Sequence, residues 1–215
     1  KPAVADAKAE IERALKNPIG TKTLAEIAKK GGKVAIVADD HTRSTQSHLM
    51  IPPILNELNM VGIKDEHVTV IFACGTHRAV KLEEMKKLVG EEVVNRVKLI
   101  SHDYKAKDLV YLGKAPTYGT EVYVNKTFAE ADIKILTGDV GLHYYAGYGG
   151  GRKSILPGIS GAETTQHNHA MLLDPKARTG NLDGNPVHED MVEAVKLVKV
   201  DFVLNIVTNS KKELV

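Results

Sequence analysis

Lys33-Val-Ala-Ile-Val-Ala-Asp-Asp-His-Thr-Arg43 decides the fold. Its first six residues form a β-rich run with no polar alternation, the mark of a strand buried on both faces. Charged and hydroxyl residues begin where the run ends. The same order recurs along the chain. His67-Val-Thr-Val-Ile-Phe-Ala-Cys74 gives way to Gly75-Thr-His-Arg78. Val97-Lys-Leu-Ile-Ser101 runs into His102-Asp103, and the strand pattern over 131–137 runs into Gly138-Asp-Val-Gly-Leu-His143. A last strand is expected over 202–207.

Helical patterns separate these strands. Apolar residues at Ala5, Ile11 and Leu15 predict a first helix, and 24–28 a second. Residues 49–60 are helical, with Pro52-Pro53 expected in the first turn or breaking the helix. Further helices are predicted over 81–88, 91–96, 163–173 and 191–198. Leu109-Val-Tyr-Leu112 and Glu121-Val-Tyr-Val124 flank a Gly/Pro turn and predict an antiparallel pair. Alternating strands and helices give an α/β fold, a mostly parallel Rossmann-like sheet with crossover helices and a short antiparallel insertion. Residues 1–215 read as one domain. Lys1-Pro2 leads directly into a helix and the last strand pattern ends with no closing element, so the expectation is one domain of a longer protein.

Composition narrows the function. At 43% hydrophobic residues the chain has the material for a core. A net charge of +2, with no basic run or aromatic ladder, argues against a nucleic-acid partner. No apolar run approaches a membrane span. The lone cysteine, Cys74, excludes an internal disulfide and a cysteine-cluster zinc site, and reads as a small buried hydrophobe at a strand end. These features together predict a cytoplasmic protein.

Ligands of parallel sheets sit at the carboxyl ends of the strands. Each polar cluster alone reads as helix caps, and Asp39, Asp40 and Thr42 are good capping types. Four clusters at one sheet edge read as a site. The segment Gly147-Tyr-Gly-Gly-Gly-Arg-Lys-Ser-Ile-Leu-Pro-Gly158 adds to them. Gly149, Gly150 and Gly151 allow close backbone approach, with N–H groups available to an anion, and Arg152 and Lys153 bring positive charge. This is not a Walker A loop, because Arg152 stands where that motif needs glycine.

His77 and His143 are candidates for proton transfer, since imidazole titrates near neutral pH. Arg43 and Arg78 suit carboxylate or phosphate, with a structural ion pair an equal reading for Arg78. His102 reads as structural, and His41, His48, His67 and His188 as surface residues. His167 and His169 lie two apart, so on a helix only one of them faces a given site.

As an ordered set, Asp40-x-x-Arg43, Gly-Thr-His77-Arg, His143, the Gly-Gly-Gly-Arg-Lys153 loop with its Pro-Gly, and Asn168-His169 resemble the amino-terminal domain of the nickel-pincer-dependent lactate racemase family. The resemblance runs from about residue 33 to the end. It implies a nickel pincer nucleotide, a modified pyridinium mononucleotide carrying sulfur ligands to nickel. The family's tethering lysine falls on Lys153, its nickel ligand on His169, and its acid–base histidines on His77 and His143. Asp40 and Arg43 match a pair near the cofactor and the substrate carboxylate, and the glycine loop suits the nucleotide phosphate. The implied reaction moves a hydride from the α-carbon of a small 2-hydroxy acid to the cofactor and back, through a transient 2-keto acid. Two histidines then serve the hydroxyls of the two enantiomers. Implied partners are the enzymes that make the cofactor and a carboxy-terminal domain that completes the cleft, without which turnover is not expected. The cofactor itself is expected to be absent where those enzymes are. Members commonly have proline after the Thr-Arg pair, where this chain has Ser44.

Two other readings compete: a histidine-rich zinc hydrolase, and a non-enzymatic nucleotide-binding module. The first lacks the usual H-x-x-x-H spacing.

Overall fold

The computed structural model describes residues 1–28, 32–43 and 45–215. Ser44 therefore lies outside the described residues. In chain order the elements begin with α1 (Ala7–Lys16), α2 (Leu24–Ala28), β1 (Val34–Asp39), α3 (Ser47–Met60), β2 (Val68–Ala73), α4 (Leu82–Arg96) and β3 (Lys98–Ser101). An antiparallel pair follows, β4 (Val110–Lys114) with β5 (Glu121–Val124), then α5 (Lys126–Ala129) and β6 (Ile133–Asp139). A two-residue hairpin, β7 (Leu142–His143) with β8 (Gly147–Tyr148), precedes α6 (Ala162–Ala170), α7 (Pro186–Val198) and β9 (Phe202–Ile206).

Five strands form one parallel sheet in the order β3-β2-β1-β6-β9. Strand β1 sits at its centre, which is why its sequence is apolar on both faces. Its side chains alternate between two cores. Val34, Ile36 and Ala38 pack with Val70, Phe72 and Ile135 against α1 to α4. Ala35 and Val37 pack with Ile71 and Leu136 against Val122, Phe128, Leu156 and the Val187–Met191–Ala194 face of α7. The chain crosses over at β1, since β2 and β3 lie to one side of it and β6 and β9 to the other. The crevice outside the carboxyl ends of β1 and β6 is where such a sheet binds ligands.

One helix departs from expectation. Helix α3 begins at Ser47, so Pro52 and Pro53 lie beyond its first turn and the helix continues through them. Burial of Met50, Ile51, Ile54, Leu55 and Leu58 outweighs the two missing N–H donors. The segment over 82–96 is two helices in effect, as expected, broken at Gly90 with φ +84°. Among the described residues no helix is long and apolar enough to cross a membrane.

Candidate active site

A cleft of about 640 Å³ opens at the carboxyl edge of the sheet. Its walls come from the loops after β1, β2 and β6 and from α6. Asp39, Asp40 and Arg43 line it from the first loop, His77 from the second, His143 and Tyr145 from the hairpin, Gly149, Gly150 and Lys153 from the glycine segment, and His169 from α6. Six of the polar residues singled out in the sequence thus converge: Asp40, Arg43, His77, His143, Lys153 and His169.

Asp40 is 2% exposed and fully engaged. Its Oδ2 lies 2.7 Å from His77 Nδ1. Its Oδ1 accepts from the Thr42 N–H at 3.0 Å and the Thr42 hydroxyl at 2.6 Å. With Nδ1–H donated to the carboxylate, His77 keeps the Nε2 lone pair free. That is the tautomer a general base needs, and the carboxylate stabilises the imidazolium formed when the base accepts a proton. The sequence grouped Asp40 with the cofactor residues; its hydrogen bonds serve His77.

His143 sits in the opposite electrostatic setting. Its ring is buried and stacks on Tyr144, with centroids 4.8 Å apart, and meets Tyr145 edge-on at 4.6 Å. Burial first, then the charges of Lys153 and Arg43, push its pKa down to about 4. The Ala146 N–H donates to its Nδ1 at 3.3 Å. The neutral ring then carries its proton on Nε2.

Lys153 is also desolvated. Burial, with repulsion from Arg43 and Arg152, lowers its pKa to about 7 against the pull of Asp39. Its Nζ lies 5.6 Å from the centre of the Tyr145 ring. His169 meets the same ring edge-on at 5.2 Å. Its Nδ1 is buried with no hydrogen-bond partner among the described residues. Nε2 is left for the cleft. Burial and Lys153 hold this ring neutral as well, with a pKa of about 4. Helix α6 is fixed from behind, where Asn168 Nδ2 donates to Asp190 Oδ2 at 2.8 Å and to the Val187 carbonyl at 3.1 Å. His167, on the other face, is exposed.

Several expectations need correction. The glycine run is not a free row of N–H donors. Gly149 N–H donates to the Gly141 carbonyl at 2.7 Å and Gly151 N–H to Asn205 Oδ1 at 3.3 Å. Gly151 does not line the cleft. Packing constrains two of the glycines: a Cβ on Gly150, at φ +73°, would stand 2.9 Å from Val140 Cγ2, and one on Gly149 3.1 Å from the Asp139 carbonyl oxygen. The third polar cluster stays out of the site, because His102 is buried and its Nε2 bonds the Ser160 carbonyl at 2.9 Å. Arg78 forms a two-pronged ion pair with Glu84 at 2.6 and 2.8 Å, the structural alternative. His41 and His188 are partly buried, each with Nδ1 shielded from water, rather than surface residues. Cys74 is buried just past β2, as expected.

The sequence assigned no site role to three residues that line the cleft. Tyr145 contacts His143, His169 and Lys153 and joins them into one cluster; its only sequence signal was the aromatic pair directly after His143. Asp39 and Asp139 end adjacent strands inside the cleft. Burial raises the pKa of both, and Asp39 accepts from the Thr45 hydroxyl.

Known proteins share this arrangement of chain. The model of the lactate racemase N-terminal domain matches residues 1–180. Lactate racemases from Thermoanaerobacterium thermosaccharolyticum and Lactiplantibacillus plantarum are each 38% identical over 208 residues, 95% of this chain. The chain spans about half the length of these relatives, 48% and 49%. The solved lactate racemase apoprotein of T. thermosaccharolyticum superposes with a TM-score of 0.93 at 36% identity, over 99% of this chain and 51% of that one. A Thermotoga maritima crystal structure matches with a TM-score of 0.77 at 25% identity, over 97% of this chain and 53% of that one. With a family match over residues 1–180 and relatives 38% identical over 95% of its length, the chain belongs to the lactate racemase N-terminal domain family.

Proposed function

We propose that this chain is the cofactor-bearing part of a racemase or epimerase acting on a small 2-hydroxy acid, with a nickel pincer nucleotide as cofactor. One observation carries the reading: an Asp40-supported His77, a desolvated His143, a desolvated Lys153 and His169 share a single cleft with Arg43. The donor set fits that cofactor. No three His, Cys, Asp or Glu among the described residues converge to hold a metal ion, so a metal here has to bring most of its donors with it. A pincer does so and needs one further ligand, for which the neutral imidazole of His169 is suited. The same observation disfavours the zinc hydrolase. Lys153 would anchor the nucleotide. When bound, the cofactor supplies the acceptor for the hydride that leaves the substrate α-carbon.

The chain's own residues handle orientation and protons. Arg43 binds the substrate carboxylate. His77 Nε2 takes the hydroxyl proton, and Asp40 holds the charge this creates. His143 offers Nε2–H to the substrate oxygen. It becomes a full acid–base partner once anionic ligands offset Lys153 and Arg43, the cations that now depress its pKa. Inversion needs a group at the hydroxyl of each enantiomer, and besides His169 the cleft has two histidines, His77 and His143.

The test uses the full-length, cofactor-loaded protein with L-lactate in D2O, followed by chiral separation and mass spectrometry. D-lactate without deuterium at the α-carbon is the expected product. Deuterium at that carbon would mean proton abstraction and would overturn the hydride reading. No conversion across a panel of 2-hydroxy acids would overturn the racemase.

A further inference from the structure

Among the described residues the guanidinium of Arg152 hydrogen-bonds only main chain. Nη2 donates to the carbonyls of Ala146 at 2.7 Å and Tyr148 at 2.9 Å, and Nη1 reaches the Gly149 carbonyl at 3.5 Å. Its Nε is buried with no partner among the described residues. Burial disfavours its charge and lowers its pKa. Carbonyls satisfy the donors but do not neutralise the cation. The three acceptors lie in the hairpin and the first residue of the glycine run. Arg152 itself sits in the single 3-10 turn Gly151–Ser154, directly before Lys153.

We propose that Arg152 is a positioning residue with two separable parts: its fork ties the hairpin carrying His143 and Tyr145 to the turn carrying Lys153, and its unneutralised charge bears on the Lys153 amine. A lysine cannot replace the fork, since its point charge does not span three carbonyls. The second part follows from what surrounds Nζ. Arg43, from the loop after β1, and Arg152, from its own turn, repel a proton there, while Asp39 at the end of β1 attracts one. His143 on the hairpin and His169 on α6 are neutral near pH 7, and the Tyr145 ring face favours a cation. Burial and the two arginines prevail, which leaves a large share of the amine unprotonated near pH 7. Only an amine with a free lone pair can form a covalent bond. Its relevance to anchoring a cofactor rests on the function proposed above.

The test uses this chain without cofactor. Trace acetylation with acetic anhydride is followed across the pH range by peptide mass spectrometry, with an exposed lysine, Lys8, as internal reference. Amide hydrogen exchange is read at Tyr148 and Gly149. In the parent chain Lys153 should label with a midpoint near 7. In Arg152→Gln the midpoint should rise by about half a unit or more, and hairpin exchange should speed up about tenfold. In Arg152→Lys the midpoint should hold while exchange still speeds up. An unchanged midpoint in Arg152→Gln, or an equal rise in both variants, overturns the electrostatic part. Unchanged hairpin exchange in Arg152→Lys overturns the staple, even should Arg152→Gln not fold. Failure here leaves the racemase reading standing, because no cofactor or turnover enters the measurement.

Discussion

His77 Nδ1 lies 2.7 Å from the Oδ2 of Asp40, and the two groups differ sharply in exposure: the Asp40 side chain is 2% exposed, the His77 side chain 48%. A buried carboxylate behind an accessible imidazole fixes the ring, fixes its tautomer and leaves the far nitrogen for chemistry. Asp40→Asn keeps the shape and removes the charge. In the full-length, cofactor-loaded protein, racemisation should fall by about a hundred- to ten-thousand-fold, while the melting temperature of the chain changes little. Steady-state rates from both enantiomers check this. Asp40→Asn with near-normal turnover would reduce Asp40 to a loop-bracing residue for Thr42.

The electrostatics of His143 give a pH dependence. Its pKa in the folded, unliganded chain is about 4, below the ordinary histidine value. The unfolded chain therefore takes up its proton first as pH falls. Stability contributed by keeping this ring neutral is complete above the unfolded pKa of about 6.5. It is lost as pH falls from there through about 4. His143→Phe should flatten that part of the stability curve, read by denaturant unfolding at several pH values. Adding inorganic phosphate should raise the His143 pKa, because an anion in the cleft offsets Lys153 and Arg43. NMR titration of the ring protons reads this directly, and a His143 pKa near 6.5 in the unliganded chain would contradict the burial argument.

Glycines near the site separate into those that packing requires and those it does not. A Cβ on Gly147, at φ +78°, would stand 2.3 Å from the Asn181 carbonyl oxygen, and backbone there cannot move aside. A Cβ on Gly141 meets nothing within 4 Å. Gly147→Ala should cost about 2 kcal/mol or more, and Gly141→Ala about 0.5 kcal/mol or less. Denaturant midpoints of the two variants make the comparison. Equal losses would mean the hairpin is held differently from the packing described.

The sheet was legible because β1 is buried on both faces, and that burial forces an unbroken apolar run over residues 34–38, with β2 and β6 mostly apolar for the same reason. The polar ends of these strands pointed to a site on topological grounds alone. What the runs cannot encode is which way each loop turns. Gly138-Asp-Val-Gly-Leu-His143 and Ser101-His-Asp103 look alike in sequence. The first folds back as a hairpin into the cleft, while His102 is drawn inward by the Ser160 carbonyl. The glycine run misled for a related reason. A string of glycines permits both free N–H groups and tight packing; the close contacts of Gly149 and Gly150 show packing, and the Gly149 and Gly151 N–H groups are already bonded. Tyr145 was invisible because an aromatic residue after a histidine carries no chemical signature until the ring is seen between His143 and His169.

The cleft divides its residues between handling protons and holding a cofactor, and loss of each kind should be distinguishable. Among the described residues His77 and His143 make no hydrogen bond to the anchoring amine; His77 bonds Asp40, and His143 accepts from Ala146. His77→Ala and His143→Ala should each stop racemisation in both directions while nickel stays bound, because each histidine serves one enantiomer's hydroxyl, as base in one direction of turnover and as acid in the other. Lys153 and His169 meet across the Tyr145 ring instead. Lys153→Ala should lose any covalent adduct, and His169→Ala should release nickel on dialysis, in both cases before any change in the fold. Nickel content by atomic absorption, intact mass and rates from each enantiomer separate the two kinds of loss in one set of proteins. An adduct on a lysine other than Lys153 would break the cofactor assignment. His77→Ala with near-normal racemisation in both directions would break the two-base assignment, and Asp40 would then have no catalytic partner to support.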